Sequence, residues 1–263
     1  MLFRSVGPEV QGKKIGVVGL GAIGVLVANT CKSLGMDVFG FDPFLSVDSA
    51  WALSREVHKA ASYNELYAQC DFITVHVPLN AETKKMLNDE AFAKMKKGVT
   101  ILNFSRGELV DIDAVKKAIE DGIVATYVTD FPTEELLGVK NVIPVPHLGA
   151  STPESEDNCA AMAATELSDY LQYGKITNSV NFPNCELPYN GQTRICFIHR
   201  NVPSVISSIS AVLAAKNMNI DNMINKSKGS NAYTIIDLTQ TEDLKEAEVE
   251  LLAVNGVIAI RII

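Results

Sequence analysis

Three residues in the middle of the chain have side chains suited to acid–base chemistry on a carboxylate-bearing substrate: Arg106, Glu134 and His147. The guanidinium of Arg106 can hold a carboxylate through two parallel N–H bonds and can polarise a carbonyl beside it. The imidazole of His147 can take the proton of a hydroxyl group and return it in the reverse reaction. Glu134 can accept a hydrogen bond from the other ring nitrogen and so fix the tautomer. Together these residue types predict the reversible oxidation of a hydroxy acid.

Each of these residues also has a plain structural explanation when it is considered alone. An Arg-Gly pair at a strand end is often a surface turn, a Pro-His-Leu-Gly segment often holds a satisfied loop histidine, and the glutamate of Thr-Glu-Glu is usually solvated. What favours the chemical interpretation is that all three residues follow predicted strands and share one edge of a predicted sheet. In open α/β sheets, ligands bind beyond the carboxyl ends of the strands.

A glycine-rich turn predicts the cofactor for this chemistry. An apolar run ends in Gly19, Gly21 and Gly24, and a helical pattern follows. The first glycine permits a tight turn, the second lets a pyrophosphate approach the backbone, and the third lets the helix pack close to the strand. The free N–H groups of the helix start favour the anion. Asp42 lies 18 residues after Gly24, where an acid binds the adenosine ribose and repels the extra phosphate of NADP. The pattern therefore predicts a strand–turn–helix that binds NAD, rather than one without a ligand.

Alternation of strands and helices over the first part of the chain predicts an α/β fold, namely a Rossmann-like, doubly wound parallel sheet. The segment 43–61 has weaker signals than the rest. A long helix is predicted from a cap at Thr152 to a stop at Gly174, and the last 70 residues follow the order βαββαβ of a ferredoxin-like domain. The predicted domains are 1–182 for the cofactor, including the long helix at 151–174, then a linker at 183–193, and 194–263 as the terminal domain.

Composition excludes several classes of function. The chain of 263 residues has a net charge of −8 and a pI near 5.1, which argues against general binding of nucleic acid or anionic membranes. Its five cysteines show no paired framework and no metal-ligand spacing, so we expect reduced thiols, no metal site and a cytoplasmic location. We also expect no signal peptide and no membrane-spanning segment.

Four segments resemble the motifs of the D-isomer-specific 2-hydroxyacid dehydrogenases: 18–24, 103–111, 131–134 and 146–152. The terminal domain resembles the ACT regulatory domains attached to many of these enzymes. The resemblance covers essentially the whole chain and is strongest to members that oxidise 3-phospho-D-glycerate to 3-phosphohydroxypyruvate with NAD, in serine biosynthesis. It implies that Arg106 holds the substrate carboxylate, that His147 is the acid–base group and that Glu134 is its acidic partner.

The same resemblance implies which residues bind the cofactor and an effector. The cofactor set is Gly19, Gly21, Ala22, Ile23, Gly24, Asp42, Phe104, Ser105, Arg106, Asp130, His147, Gly149 and Ala150. The effector, L-serine, would be held by His199, Asn201 and Asn219 across a pair of domains. The two asparagines have a plain alternative as caps or turn residues. A homo-oligomer, dimer or tetramer, is expected, with the terminal domain pairing through a sheet edge or helix face.

Departures from the family pattern leave alternatives open. The family's acidic motif reads Asp-Val-Phe-x-x-Glu-Pro, whereas residues 129–135 read Thr-Asp-Phe-Pro-Thr-Glu-Glu, so Asp130 is displaced or a residue is deleted. Glu135 therefore rivals Glu134. The family also has a long segment before the glycine turn that forms most of a substrate domain, toward which the helix 151–174 would return, and we expect this chain to lack that segment. The alternative functions are a catalytically silent module binding NAD and an amino acid or second chain, or a dehydrogenase of another D-2-hydroxy acid.

Overall fold

A computed structural model describes residues 7–239 and 244–263 of the chain. Within these ranges, every helix is too short or too polar to cross a lipid bilayer. The predicted cytoplasmic location stays a prediction. The chain divides into two compact units, Met1–Leu148 and Gly149–Ile263, which we describe separately.

The first unit is a seven-stranded sheet of entirely parallel strands in the order β3-β2-β1-β4-β5-β6-β7, as predicted. The strands are β1 (Lys14–Val18), β2 (Asp37–Phe41), β3 (His58–Lys59), β4 (Phe72–Val75), β5 (Val99–Asn103), β6 (Val124–Thr129) and β7 (Val142–Pro144). The helices are α1 (Ala22–Ser33), α2 (Val47–Ala52), α3 (Tyr63–Gln69), α4 (Asp89–Ala93) and α5 (Ile112–Glu120). The central strands are fully buried at Val17, Ile73 and Ile101. The strand order reverses at β1, which is the position where such sheets bind ligands.

Polar caps set the helix starts in this unit. Side chains of Ser62, Asn88 and Asp111 accept backbone N–H groups of α3, α4 and α5. In contrast, α1 begins after Gly21 with no side-chain cap, so its first N–H groups are left for another partner. Helix α2 and strand β3 lie in the segment 43–61, where the sequence signals are weak.

The second unit joins a long helix to an antiparallel sheet. Helix α6 (Pro153–Tyr173) is capped by Thr152 and ends at Gly174, where φ is +68°. The remaining elements are β8 (Thr193–Arg200), α7 (Val205–Ala215), β9 (Ile220–Lys228), β10 (Asn231–Leu238), α8 (Leu244–Leu252) and β11 (Val257–Ile262). The sheet order β11-β8-β10-β9 gives the predicted ferredoxin-like topology. Residues of both helices pack with Ile195, Phe197 and Ile236 in one core.

Contacts divide the chain after Leu148, earlier than the linker at 183–193 where the sequence sets the boundary. The physical reason is that side chains from the terminal sheet hold the C-terminal end of α6. Arg261 donates hydrogen bonds to the backbone carbonyls of Tyr170 and Leu171. Arg194 donates to the carbonyl of Tyr173, and the Tyr233 hydroxyl donates to the carbonyl of Gly174. The domain limits drawn from the sequence stay a prediction.

Candidate active site

The glycine turn has the tight geometry that the sequence predicts. Gly19 has φ +90°, and a Cβ there would lie 2.6 Å from the carbonyl oxygen of His76. A Cβ on Gly24 would lie 1.9 Å from the carbonyl oxygen of Gly19, so a side chain is excluded at both positions. A Cβ on Gly21 would meet nothing within 4 Å. The space beside Gly21 is open, as approach of an anion to the backbone requires.

Asp42 lies beside this turn. Its Oδ2 accepts the N–H of Leu20 at 2.8 Å, and its Oδ1 accepts the N–H of Phe44 at 2.8 Å. These bonds fix the carboxylate at the end of β2 and leave lone pairs on both oxygens for further donors. The carboxylate is half-buried and therefore open to a ligand on one side.

A cavity of about 600 Å³ adjoins the turn and Asp42. Its lining includes Gly21, Pro43, Tyr63, His76 and Pro78. Sequence reasoning did not select His76. The signal that could have found it is its position directly after β4, an apolar strand that is buried from Ile73 to Val75. Its Nε2 lies 3.0 Å from the Thr74 hydroxyl, and burial lowers the pKa of this histidine. His76 therefore contributes a mainly uncharged ring to the wall of the cavity.

The turn that carries Arg106 is organised by a buried amide. Asn103 is fully buried at the end of β5, and its Nδ2 donates to the Arg106 carbonyl at 2.9 Å. Its Oδ1 accepts the N–H of Ser105 at 3.2 Å, and the Ser105 hydroxyl donates to the Val75 carbonyl at 2.8 Å. The turn is thus bonded to itself and to β4. The guanidinium of Arg106 is exposed, and Phe104 beside it is 43% exposed.

The structure pairs His147 with Asp130. Nδ1 of the imidazole lies 2.7 Å from Oδ2 of Asp130, and the ring centroid lies 4.6 Å from that of Phe131. The His147 side chain is 57% exposed, whereas that of Asp130 is 8% exposed. The other carboxylate oxygen, Oδ1, is buried without a hydrogen-bond partner in the part of the chain that the structure describes.

This pairing corrects the predicted partner of His147. Glu134 lies in a short 3-10 helix, Glu134–Leu136, where both it and Glu135 are exposed. Among the described residues, no hydrogen bond joins either glutamate to His147. The reason is local geometry, because Asp130 directly follows β6 at the sheet edge while the glutamates are carried away by the 3-10 helix.

Packing brings the turns of Arg106 and His147 to one edge of the sheet. A Cβ on Gly107 would lie 3.2 Å from the Phe131 Cβ, and Phe131 in turn packs against His147. Ala22 and Ile23 are exposed at the start of α1, with the Ile23 side chain 67% exposed. Gly149 and Ala150, also predicted to bind the cofactor, fall in the second unit and are exposed there.

The predicted effector residues lie in two different environments. His199 is 2% exposed, its Nδ1 lies 2.8 Å from the Arg200 carbonyl oxygen, and its Nε2 lies 2.8 Å from the Thr234 hydroxyl. With both nitrogens occupied, His199 does not fit the role of an effector ligand. Asn201 is exposed and donates to the Gly229 carbonyl at 3.1 Å, and Asn219 is also exposed. The roles of the two asparagines stay predictions.

Comparison with known proteins decides the family. Residues 3–149 match the profile described as "D-isomer specific 2-hydroxyacid dehydrogenase, NAD binding domain". The chain belongs to this family. NAD is accordingly the cofactor of its first unit.

Relatives and solved structures agree with this assignment. The chain is 32% identical to D-3-phosphoglycerate dehydrogenase of Haemophilus influenzae over 97% of its length, and 32% identical to D-3-phosphoglycerate dehydrogenase 1 of Saccharomyces cerevisiae over the same share. It spans 64% and 58% of those two proteins, respectively. The structure of Escherichia coli D-lactate dehydrogenase matches 65% of this chain and 54% of its own, with 32% identity and a TM-score of 0.55. D-lactate dehydrogenase of Lactobacillus jensenii, solved with NAD+, matches 61% of this chain and 53% of its own, with 27% identity and a TM-score of 0.54.

The residues present fit NAD. The uncapped start of α1 and the open space at Gly21 suit the pyrophosphate, because helix N–H groups and the helix dipole attract anions. The fixed carboxylate of Asp42 suits the ribose hydroxyls, and the cavity beside it suits the adenosine.

Proposed function

We propose that the protein is an NAD-dependent dehydrogenase that interconverts 3-phospho-D-glycerate and 3-phosphohydroxypyruvate. The observation that carries the proposal is the exposed His147 imidazole, which has one nitrogen bonded to a buried carboxylate and lies at the same sheet edge as the turn of Arg106. The substrate is inferred from the names of the relatives that align with 97% of the chain.

The chain's own groups divide the work on the substrate. Arg106 would bind the carboxylate through its N–H groups and polarise the adjacent carbonyl oxygen. Nε2 of His147 would take the hydroxyl proton during oxidation and return it to the carbonyl oxygen during reduction. NAD, when bound, accepts the hydride that leaves the hydroxyl-bearing carbon. The buried Asn103 would keep Arg106 in place through its bond to the arginine carbonyl.

A second candidate function is an NAD-binding module without turnover. It is favoured by the position of the Arg106 guanidinium, whose Nη1 donates to the Ser105 carbonyl at 2.7 Å and is thus turned back on its own loop. A module of this kind would bind NADH but would not oxidise it. A dehydrogenase acting on another D-2-hydroxy acid is the remaining alternative.

For the second unit we propose binding of an amino acid, with L-serine as the first ligand to test, at the exposed side chains of Asn201 and Asn219. The ferredoxin-like topology and the resemblance to ACT domains support this role. We also propose a homo-oligomer. Calorimetry with L-serine on the wild-type chain and on Asn219→Ala tests amino-acid binding, and the absence of heat with L-serine and other amino acids would contradict that proposal. Light scattering tests the homo-oligomer, and a monomer at working concentration would contradict it.

NADH fluorescence separates the two candidate functions. The chain is titrated with NADH, and 3-phosphohydroxypyruvate is then added while NADH loss is followed. Turnover that falls by about 10²- to 10⁴-fold in His147→Ala, with NADH binding retained, supports the dehydrogenase. Binding without turnover supports the module. Turnover with pyruvate or glyoxylate, but not with the phosphorylated substrate, indicates a different hydroxy acid.

A further inference from the structure

We infer that Asp130, rather than Glu134, is the residue that positions the imidazole of His147 for proton transfer. The inference rests on the proposed function, because it assigns a task to a residue next to the proposed acid–base group. It also departs from the acidic motif of the family, in which a glutamate at the position of Glu134 is the expected partner.

Burial and bonding distinguish Asp130 from its rivals. The Asp130 carboxylate is 8% exposed, and His147 is its one hydrogen-bond partner among the described side chains, at 2.7 Å. A buried carboxylate needs compensation for the lost hydration, and a histidine ring that gains a proton supplies it. Glu134 and Glu135 are exposed, so neither depends on His147 for compensation.

The direction of the hydrogen bond sets the tautomer of His147. An ionised carboxylate can only accept, so Nδ1 of His147 must be the donor. In the neutral ring the lone pair then lies on Nε2, and the His147 side chain is 57% exposed. When Nε2 takes a hydroxyl proton, the ring becomes a cation beside the Asp130 anion. The proton passes from Nε2 to solvent before the next oxidation, or to the carbonyl oxygen in the reverse step, and Asp130 keeps its charge throughout.

Packing supports the same orientation. The Phe131 ring lies against the imidazole, with centroids 4.6 Å apart and planes tilted by 50°. Because Phe131 follows Asp130 directly, one short segment after β6 supplies both the acceptor and the packing surface. The departure of residues 129–135 from the family's acidic motif therefore coincides with a different partner for His147 in this chain.

Two matched variants, Asp130→Asn and Glu134→Gln, test the inference, since each replaces a carboxylate with an amide of nearly the same shape. The first readout is the ¹⁵N spectrum of the histidine rings, in which the His147 signals are identified by their loss in His147→Gln. The wild-type chain and Glu134→Gln should show the proton on Nδ1. Asp130→Asn should move the population toward the Nε2–H form. A spectrum unchanged in Asp130→Asn, or changed in Glu134→Gln, would overturn the inference.

Turnover is the second readout. Asp130→Asn should lower kcat for 3-phosphohydroxypyruvate by about 10²- to 10⁴-fold, as expected when the wrong tautomer is favoured. Glu134→Gln should leave kcat within about twofold, as for an exposed substitution. The opposite ranking would overturn the inference. Thermal unfolding of both variants controls for folding. If the wild-type chain binds NADH without turnover, the proposed function fails, and the ring spectra still decide the role of Asp130.

Discussion

Two histidines at the ends of strands, one in each unit, show how environment decides what the same side chain can do. His147 follows β7 and uses one nitrogen for Asp130 while its ring is largely open to solvent. His199 is the last residue but one of β8, is buried, and uses both nitrogens for neighbours in the fold. A neutral imidazole has one donor and one acceptor, so His199 has no capacity left for a ligand. His147 keeps one nitrogen free, and only a histidine of this kind can exchange protons with a substrate.

The contrast extends to the polar groups around each ring. Behind His147, Asp130 retains a buried oxygen without a partner in the described chain, which is a feature of a site that still has bonds to make. Around His199, Thr234 also bonds to Asn225 at 2.8 Å, so the network continues across three strands. We therefore expect substitutions in the first region to change ligand binding and chemistry, and substitutions in the second to change stability.

Among the substitutions that test stability, the largest effect is expected from Gly24→Ala. The new Cβ would lie 1.9 Å from the Gly19 carbonyl oxygen, so the glycine turn must shift. Overpacking of this kind lowers the free energy of unfolding by about 3 kcal/mol and should weaken NADH binding by about tenfold or more. NADH fluorescence titration and urea unfolding measure the two effects. Gly7→Ala is the control, because a Cβ there meets nothing within 4 Å. Equal NADH affinity in both variants would contradict the assigned role of the turn.

His199→Gln should lower the free energy of unfolding by about 1–2 kcal/mol, because it disturbs two buried hydrogen bonds. NADH binding should not change. Urea unfolding provides the measurement, and His58→Gln is the matched control, since His58 is exposed and lies 3.8 Å from its nearest carboxylate, Asp37. The control should stay within about 0.5 kcal/mol of the wild type. If His199→Gln is as stable as the wild type but no longer binds an amino acid, then His199 serves ligand binding and not the fold, contrary to the contrast drawn above.

His76 should make stability depend on pH near neutrality. Burial lowers its pKa in the folded chain below the value of about 6.5 in the unfolded chain, so the unfolded chain binds more protons as the pH falls through 6.5. The stabilisation is therefore present above that pH and is lost below it, by up to about 1 kcal/mol between pH 7 and 5.5. Urea unfolding over this range tests the slope, which His76→Gln should reduce. An unchanged slope in that variant would show that other groups cause it.

The smallest effect is expected at Ser204, which precedes α7 with φ +72° and no side-chain cap. A left-handed conformation costs a residue with a Cβ more than glycine, so Ser204→Gly should raise the free energy of unfolding by about 0.5 kcal/mol. Ser207→Gly, one turn later in the same helix, should lower it by about 0.5–1 kcal/mol. Thermal unfolding of the pair gives the comparison. Destabilisation by both variants would mean that the Ser204 side chain matters to the fold.

Most of the fold could be predicted because its signals are local. Glycines with positive φ at Gly35 and Gly174, and the capping side chains, mark the helix ends in the sequence itself. After their first residue, strands β1 and β4 are buried on both faces, so their sequences read as continuous apolar runs. The boundary after Leu148 could not be predicted, since it depends on side chains far along the chain that bond to the end of α6.

The site could be predicted only as far as its motifs allow. The tight turn at Gly19 and Gly24 and the position of Asp42 beside it are set by backbone geometry over a short stretch, so spacing alone predicted this geometry. The partner of His147 could not be predicted in this way, because Asp130 and Glu134 are four residues apart and both are acidic. Only the three-dimensional course of the chain after β6 separates them.

The capping of α6 by the terminal sheet has a practical consequence for dissecting this protein. A recombinant chain cut at residue 182, the end of the predicted cofactor domain, would lose Arg194, Tyr233 and Arg261 together. The carbonyl groups of Leu171, Tyr173 and Gly174 would then lose these donors, and the last turn of the helix would fray. Fragments designed for biophysical work should therefore keep α6 and the ferredoxin-like sheet in one piece.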